Sequence, residues 1–144
     1  MNTLSRSLLL VSSVLALLLV PALGGCASDS RTVRGKVVLG EASVVTVVDA
    51  ADERVARAGH GGVLVKIMRP GGGTASLAEA TSQPDGTFSM KLTTRQAMAG
   101  RVEVVASGPD VLNCRGSVYV PDDERRVLVF VEPKRGPAAE GGSR

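Results

Sequence analysis

Aromatic side chains are almost missing from this 144-residue sequence, which contains no tryptophan, one tyrosine and two phenylalanines. Proteins that bind glycans usually stack the sugar rings on exposed aromatic side chains. The two phenylalanines, Phe88 and Phe130, both lie in apolar segments, where a core position explains them. A stacking platform for sugars is therefore not expected.

Histidine is as scarce as the aromatic residues. His60 is the only histidine, and it stands among Gly59, Gly61 and Gly62. One histidine cannot form a histidine-based zinc cage, and a Ser-His-Asp triad would also need a matched nucleophile and an orienting acid. We therefore expect His60 in a solvated loop, and we expect no metal and no cofactor.

A large excess of charge of one sign is also missing. The sequence has 17 Lys and Arg residues against 14 Asp and Glu residues, and the two signs are interspersed along the chain. Binding to nucleic acid requires clustered basic charge. No nucleic-acid partner is expected.

The longest apolar run occupies residues 8–20, after a short polar segment that contains Arg6. As a helix this run would span only about 20 Å, which is too short for a hydrocarbon core of about 30 Å. Pro21 ends the run, and small residues lead to Cys26. This layout predicts a signal peptide and not a transmembrane anchor.

The sequence LGGC at positions 23–26 resembles the lipobox of bacterial lipoproteins. The resemblance implies that the chain is cut before Cys26. It also implies that Cys26 carries a diacylglyceryl group on its thiol and a fatty acid such as palmitate on its amino group. The protein would then be anchored in a membrane of the cell envelope, the outer membrane if the cell has two. The alternative is an ordinary secretory signal that is cut nearby, with Cys26 as a bystander.

With lipid on Cys26, Cys114 has no partner for an intramolecular disulfide. We expect Cys114 to be a small buried apolar residue, with an intermolecular disulfide or a reactive thiol as alternatives.

The sequence predicts a division of the chain into a signal peptide at 1–25, a lipidated tether at 26–32, one domain at 33–132 and a disordered tail at 133–144.

Valine dominates the sequence after Cys26, with 19 occurrences, and no long segment repeats apolar residues at helical spacing. Residues 87–92 and 101–107 alternate apolar with polar side chains, as half-buried strands do. Further strands are expected at 33–39, 43–48, 63–68, 75–81, 116–120 and 126–132. The last of them contains VLVFV, which is apolar on both faces and predicts a central strand.

This pattern predicts an all-β fold, an antiparallel Ig-like β-sandwich of about seven strands. The residues expected inside it are Val37, Val65, Phe88, Val104 and Val129. Thr93 and Gln96 have the spacing of a capping box, which predicts one short helix near 94–99. QPDG at 83–86 predicts a turn. Residues 50–62 fit either a helical turn or a long polar loop.

The order of these segments resembles the carboxypeptidase-regulatory-like domain, one of the transthyretin-like sandwiches. The resemblance rests on Gly35 and Val37, on GGVLV at 61–65 and on ATSQPDGTF at 80–88, and it covers most of residues 33–131. Gln83 stands where the family often has aspartate. The resemblance implies a structural or interaction domain.

Two groups of residues carry alternative chemistry. CRGS at 114–117 resembles the Tyr-Arg-Gly-Ser motif of hydroxyisourate hydrolases, which implies a small hydrolase with Arg115 as anion clamp and Cys114 or Ser117 as nucleophile. Cys114 replaces the tyrosine of that motif, and no general base is evident.

The second group is Asp49, Asp52 and Glu53, which could be combined into a calcium site. These residues lack EF-hand spacing and alternate with Arg54 and Arg57, so a solvated charged loop is expected.

Taken together, the sequence predicts a membrane-anchored envelope lipoprotein. Its non-catalytic β-sandwich is expected to act as an accessory, structural or protein-binding domain, with an envelope protein as its partner and no catalytic residue.

The lipobox makes a prediction about the mature amino terminus. Mass spectrometry of the membrane fraction should find a diacylglyceryl-modified peptide that begins at Cys26, and Cys26→Ser should abolish this peptide. A mature chain that begins at another residue and carries no lipid would contradict the prediction.

Overall fold

Alternating valine-rich segments form β-strands throughout the computed structural model, which describes residues 30–71, 73–97 and 100–135. The strands, with their bounds, are β1 (Ser30–Leu39), β2 (Val44–Asp49), β3 (Leu64–Met68), β4 (Ser76–Thr81), β5 (Thr87–Thr93), β6 (Arg101–Ser107), β7 (Cys114–Tyr119) and β8 (Arg125–Val131). The segments expected from alternation all appear, with ends that shift by a few residues.

The strands form two four-stranded sheets, with the orders β2-β8-β1-β5 and β4-β3-β6-β7. The all-β sandwich is confirmed, with eight strands instead of about seven. The sheets are mainly antiparallel, as expected: five of the six strand pairs among the described residues are antiparallel, and β1 and β8 pair in parallel. β8 is apolar on both faces and lies inside its sheet, where it is parallel to β1 and antiparallel to β2.

The inner faces of the two sheets enclose the main core, which consists mainly of valine. Each of the five residues expected inside is at most 4% exposed, and these are Val37, Val65, Phe88, Val104 and Val129. Their burial confirms the assignment of faces, because a shift by one residue would turn each strand's apolar side chains to the solvent.

A second, smaller apolar cluster lies on the outer face of the first sheet. Val38, Val48 and Leu128 are buried there, with Val55 and Phe130 packed against them. Val55 belongs to a 3₁₀ turn, Glu53–Ala56, which the side chain of Asp52 caps. The segment at 50–62 is therefore both of the things that the sequence left open: a helical turn first, and an irregular loop after it.

A one-turn helix, α1 (Thr94–Ala97), follows β5. The capping box is confirmed: the Thr93 backbone N–H donates to Gln96 Oε1 at 2.9 Å, and the Gln96 N–H donates to Thr93 Oγ1 at 3.4 Å. Residues 98 and 99 of the expected helix lie outside the described residues. Gly100 has φ = 75°, the left-handed conformation in which glycine commonly ends a helix.

Backbone hydrogen bonding extends beyond residues 33–132 at both ends. Ser30 pairs with Thr93, so β1 takes up the last residues of the expected tether. At the other end Lys134 N–H donates to Asp110 O at 2.8 Å, within the expected tail. Cys26, the signal peptide and residues 136–144 lie outside the described residues. Among the residues described, no helix is long and apolar enough to cross a membrane.

The core position of Phe88 predicts a large loss of stability on truncation. Phe88 is 4% exposed, and a Cβ atom at Gly35, its cross-strand partner, would overlap the Phe88 ring. Phe88→Ala should lower the free energy of unfolding by about 3–5 kcal/mol, as measured by urea denaturation. Tyr119→Ala is the matched control, because Tyr119 is 71% exposed and should change stability by less than about 0.5 kcal/mol. Equal effects of the two changes would mean that the faces of β5 are misassigned.

Candidate binding site

The QPDG turn between β4 and β5 is built as its residues predict. Gly86 has φ = 83°, and its N–H donates to Gln83 O at 2.8 Å. Asp85 Oδ1 accepts hydrogen bonds from the Thr87 hydroxyl at 2.7 Å and from the Thr87 N–H at 2.9 Å. These bonds, the hydroxyl's first, lower the pKa of Asp85. Hydrogen bonds between Asp85 and Thr87 thus stabilise the turn.

The loop that contains His60 packs on this turn, and both are attached to β1. Val37 N–H donates to Gly86 O, and His60 N–H donates to Val37 O, each at 2.9 Å. A Cβ atom at Gly59 would collide with the backbone of Asp85, so only glycine permits this approach. His60 is partly buried here, not fully solvated as expected, because its backbone is part of the junction.

Ser82 is a buried polar residue that the sequence did not single out. Its hydroxyl donates to His60 O at 2.9 Å and accepts from Val63 N–H at 3.0 Å. Ser82 is 5% exposed, so the hydroxyl replaces water for two backbone groups of the loop. In the sequence, the position of Ser82 directly before the QPDG turn is the only indication of its role. Its two hydrogen-bond partners become evident only in the folded loop.

The residues of the CRGS segment are divided between the two faces of β7. Cys114 is fully buried in the core, and this burial raises the pKa of its thiol. Arg115 lies on the opposite face and forms a bidentate ion pair with Glu103, which lowers the pKa of the Glu103 carboxyl. The Ser117 hydroxyl is exposed and accepts from Arg101 Nε at 2.8 Å. The burial expected for Cys114 is confirmed, and the segment does not form one constellation.

In the loop with Asp49, Asp52 and Glu53, the carboxylate of Asp52 forms its hydrogen bonds within the loop itself. Asp52 accepts hydrogen bonds from the Arg54 side chain, at 2.9 and 2.7 Å, and from the Arg54 backbone N–H. The side-chain bonds are the main reason why the pKa of Asp52 is lowered to about 2. Within the described ranges, no three His, Cys, Asp or Glu residues are grouped so that they could hold a metal ion.

A cleft of about 700 Å³ lies beside this junction, on the outer face of the first sheet. Its polar lining comes from neighbouring strands in register: Arg34 pairs with Ser89, and Lys36 pairs with Thr87. Arg126 of β8 and Val55 of the 3₁₀ turn also line it. We call this the basic cleft.

The three cations of the basic cleft are held to different degrees. Lys36 Nζ donates to Val55 O at 2.9 Å, and an Arg126 NH donates to Asp123 O at 2.7 Å. Arg34 is exposed and forms no hydrogen bond or ion pair with another described residue. The charge of Lys36 also contributes to lowering the pKa of Asp85, after the hydrogen bonds from Thr87. The cleft therefore offers an unpaired guanidinium beside hydroxyl groups, a combination suited to a carboxylate or another anion.

The sequence did not indicate this cleft. Alternation in RGK at 34–36 and in TFS at 87–89 puts the polar residues of each strand on one face. Whether the polar residues of β1 lie beside those of β5 depends on the register between the two strands, which alternation does not specify.

The chain matches no protein-family model, and no curated protein is significantly similar to it.

The position of Ser82 predicts its contribution to stability. Ser82→Ala leaves His60 O and Val63 N–H without their shared partner in a buried place, so the free energy of unfolding should fall by about 1–3 kcal/mol. Ser89→Ala is the control, because Ser89 is exposed and its hydroxyl has no hydrogen bond to a described residue. Urea denaturation of both variants measures the difference. Equal stabilities would mean that the Ser82 hydroxyl is not the link that holds the loop.

Proposed function

We propose that this protein is a lipid-anchored envelope protein whose β-sandwich is a non-catalytic binding domain. Lipid on Cys26 holds it at a membrane, and the basic cleft binds an acidic group of an envelope protein. The run at 8–20 and LGGC at 23–26 support the anchor. The resemblance of residues 33–131 to carboxypeptidase-regulatory-like domains supports a binding or structural role.

The basic cleft is the observation that carries the proposed binding role. Two adjacent strands of a packed sheet, β1 and β5, carry most of its polar side chains, so the backbone positions of these residues are fixed before a ligand arrives, which reduces the entropic cost of binding. Arg34 can meet a carboxylate with two parallel N–H donors. The Ser89 hydroxyl stands beside it as a further hydrogen-bond donor, whereas the Thr87 hydroxyl already donates to Asp85 Oδ1.

The CRGS segment supports a non-catalytic role because two of its side chains have a structural function. Cys114 fills the core and Arg115 neutralises Glu103. A thiol with a raised pKa is a poor nucleophile, since the thiolate is the reactive form. The hydrolase alternative would require Cys114 to leave the core or Ser117 to find a base.

A photo-crosslinking experiment in intact cells tests the proposed function. A photoreactive amino acid at position 89, within the cleft, should crosslink the lipidated protein to one specific envelope protein that mass spectrometry identifies. Arg34→Glu should reduce this crosslink by about tenfold or more, because it places a like charge against the acidic group of the partner.

Arg57→Glu is the matched control, since Arg57 is exposed and does not line the cleft. It should leave the crosslink unchanged. Equal loss in both variants would contradict a site-specific role of the cleft. Hydrolytic turnover by the purified protein that Arg115→Ala abolishes would overturn the non-catalytic assignment.

A further inference from the structure

The end of the sandwich where β1 begins differs from the rest of the surface in its charge. Ser30 pairs there with Thr93, which leads directly into α1 and then into Arg101 at the start of β6. Arg101 in turn pairs with Tyr119 at the end of β7. We call this the lower end of the sandwich.

Five basic side chains are exposed at the lower end, four of them on different structural elements and one in a loop. They are Arg31 in β1, Arg69 directly after β3, Lys91 in β5, Arg95 in α1 and Arg101 in β6. Arg101 Nε donates to the neutral Ser117 hydroxyl, and none of the five forms an ion pair with another residue that the structure describes. Their charges are therefore available to an external anion.

The acidic residues of the lower end are separate from these five. Asp122, Asp123 and Glu124 lie in the turn between β7 and β8, and Asp49 ends β2. Asp122 is 3.8 Å from Arg125 Nε, its partner in the same turn. The lower end thus has a basic half, on the side of β5, β3 and β6, and an acidic turn at the opposite side.

Tyr119 is a second feature of the lower end and is independent of the charges. It is 71% exposed, more than the other large apolar residues with exposed side chains in the described part of the chain, which are Leu39, Val44 and Leu112. It stands opposite Arg101 in register, at the boundary between the basic half and the acidic turn, since it also lines a groove with Asp122 and Arg125. Tyrosine beside arginine is the combination that proteins place at the level of lipid headgroups, where one end of the ring is apolar and the other is wet.

The distance from the proposed anchor restricts which end of the sandwich can meet the membrane. Four peptide steps join Cys26 to Ser30, and fully extended they span at most about 14 Å. This reach is an upper limit, so the lower end can approach a charged bilayer surface to within the Debye length of about 8–10 Å, the range in which its charges are not largely screened. Arg57 and Arg135 lie near the opposite end, where β1 and β8 finish.

We infer that the basic half of the lower end is a docking surface for anionic phospholipid headgroups of the membrane that holds the lipid anchor. This inference rests on the proposed lipidation of Cys26. The lipid chain supplies the hydrophobic attachment, and Arg31, Arg69, Lys91, Arg95 and Arg101 bind headgroup phosphates. The lipid anchor and the electrostatic attraction to the headgroups then act together and fix the orientation of the sandwich, which the anchor alone would leave free to rotate.

Tyr119 provides a probe at the proposed surface, because the chain has no tryptophan. The lipidated Tyr119→Trp protein, purified from membranes, is inserted into vesicles of phosphatidylcholine alone or of phosphatidylcholine mixed with phosphatidylglycerol. Acrylamide, which is uncharged, is used as the quencher of tryptophan emission. In the anionic vesicles the quenching constant should fall by roughly half and the emission should shift to the blue, because the headgroup layer covers the side chain.

Two double variants of this protein separate position from net charge. Arg69→Glu with Arg95→Glu should abolish the difference between the two vesicle types. Arg57→Glu with Arg135→Glu changes the net charge equally at the opposite end and should preserve the difference. Circular dichroism checks that both variants keep the β-sandwich.

The outcomes distinguish this inference from the proposed function. Mass spectrometry of the Cys26 peptide establishes whether the protein is lipidated, and a chain without lipid would contradict the proposed anchor and this inference with it. Lipidated protein that is quenched equally in both vesicle types would overturn only the docking surface. Equal loss of protection in the two double variants would also overturn it, since a general charge effect would then explain the binding.

Discussion

The parallel pairing of β1 with β8 is the constraint on which the rest of the sandwich depends. It joins Gly35–Leu39 to Val127–Val131 in register, and so connects the first and last strands of the domain. Both strands are inside their sheet, and both carry apolar side chains on the outer face as well as the inner one. The outer face therefore has to be covered, and the 3₁₀ turn with Val55 covers it. The chain after that turn returns to β1, where Val37 O binds His60 N–H.

Local features of this fold could be predicted from the sequence because neighbouring residues determine them. Alternation places Phe88 in the core, the left-handed preference of glycine places the turn at Gly86, and the spacing of Thr93 and Gln96 forms the capping box. Each of these depends on a few consecutive residues and on steric or hydrogen-bonding rules that act within them.

The features that were missed depend on segments that are distant in sequence. The direction of β8, the burial of Ser82 and the basic cleft all require the register between strands or loops that the sequence alone does not give. The CRGS segment is instructive for the opposite reason. Its four residues are contiguous in the sequence, but a strand turns consecutive side chains to opposite faces, so the thiol of Cys114 and the guanidinium of Arg115 point away from each other.

The parallel arrangement of β1 and β8 also has a mechanical consequence. Ser30 begins β1 at one end of the sandwich, and Val131 finishes β8 at the other end. A tension applied between these two residues would pull the adjacent strands lengthwise in opposite directions. The hydrogen bonds between Gly35–Leu39 and Val127–Val131 would then carry the load together in shear, and could not open one after another as in a peeled hairpin. The domain is thus built to resist extension along the line between its two ends.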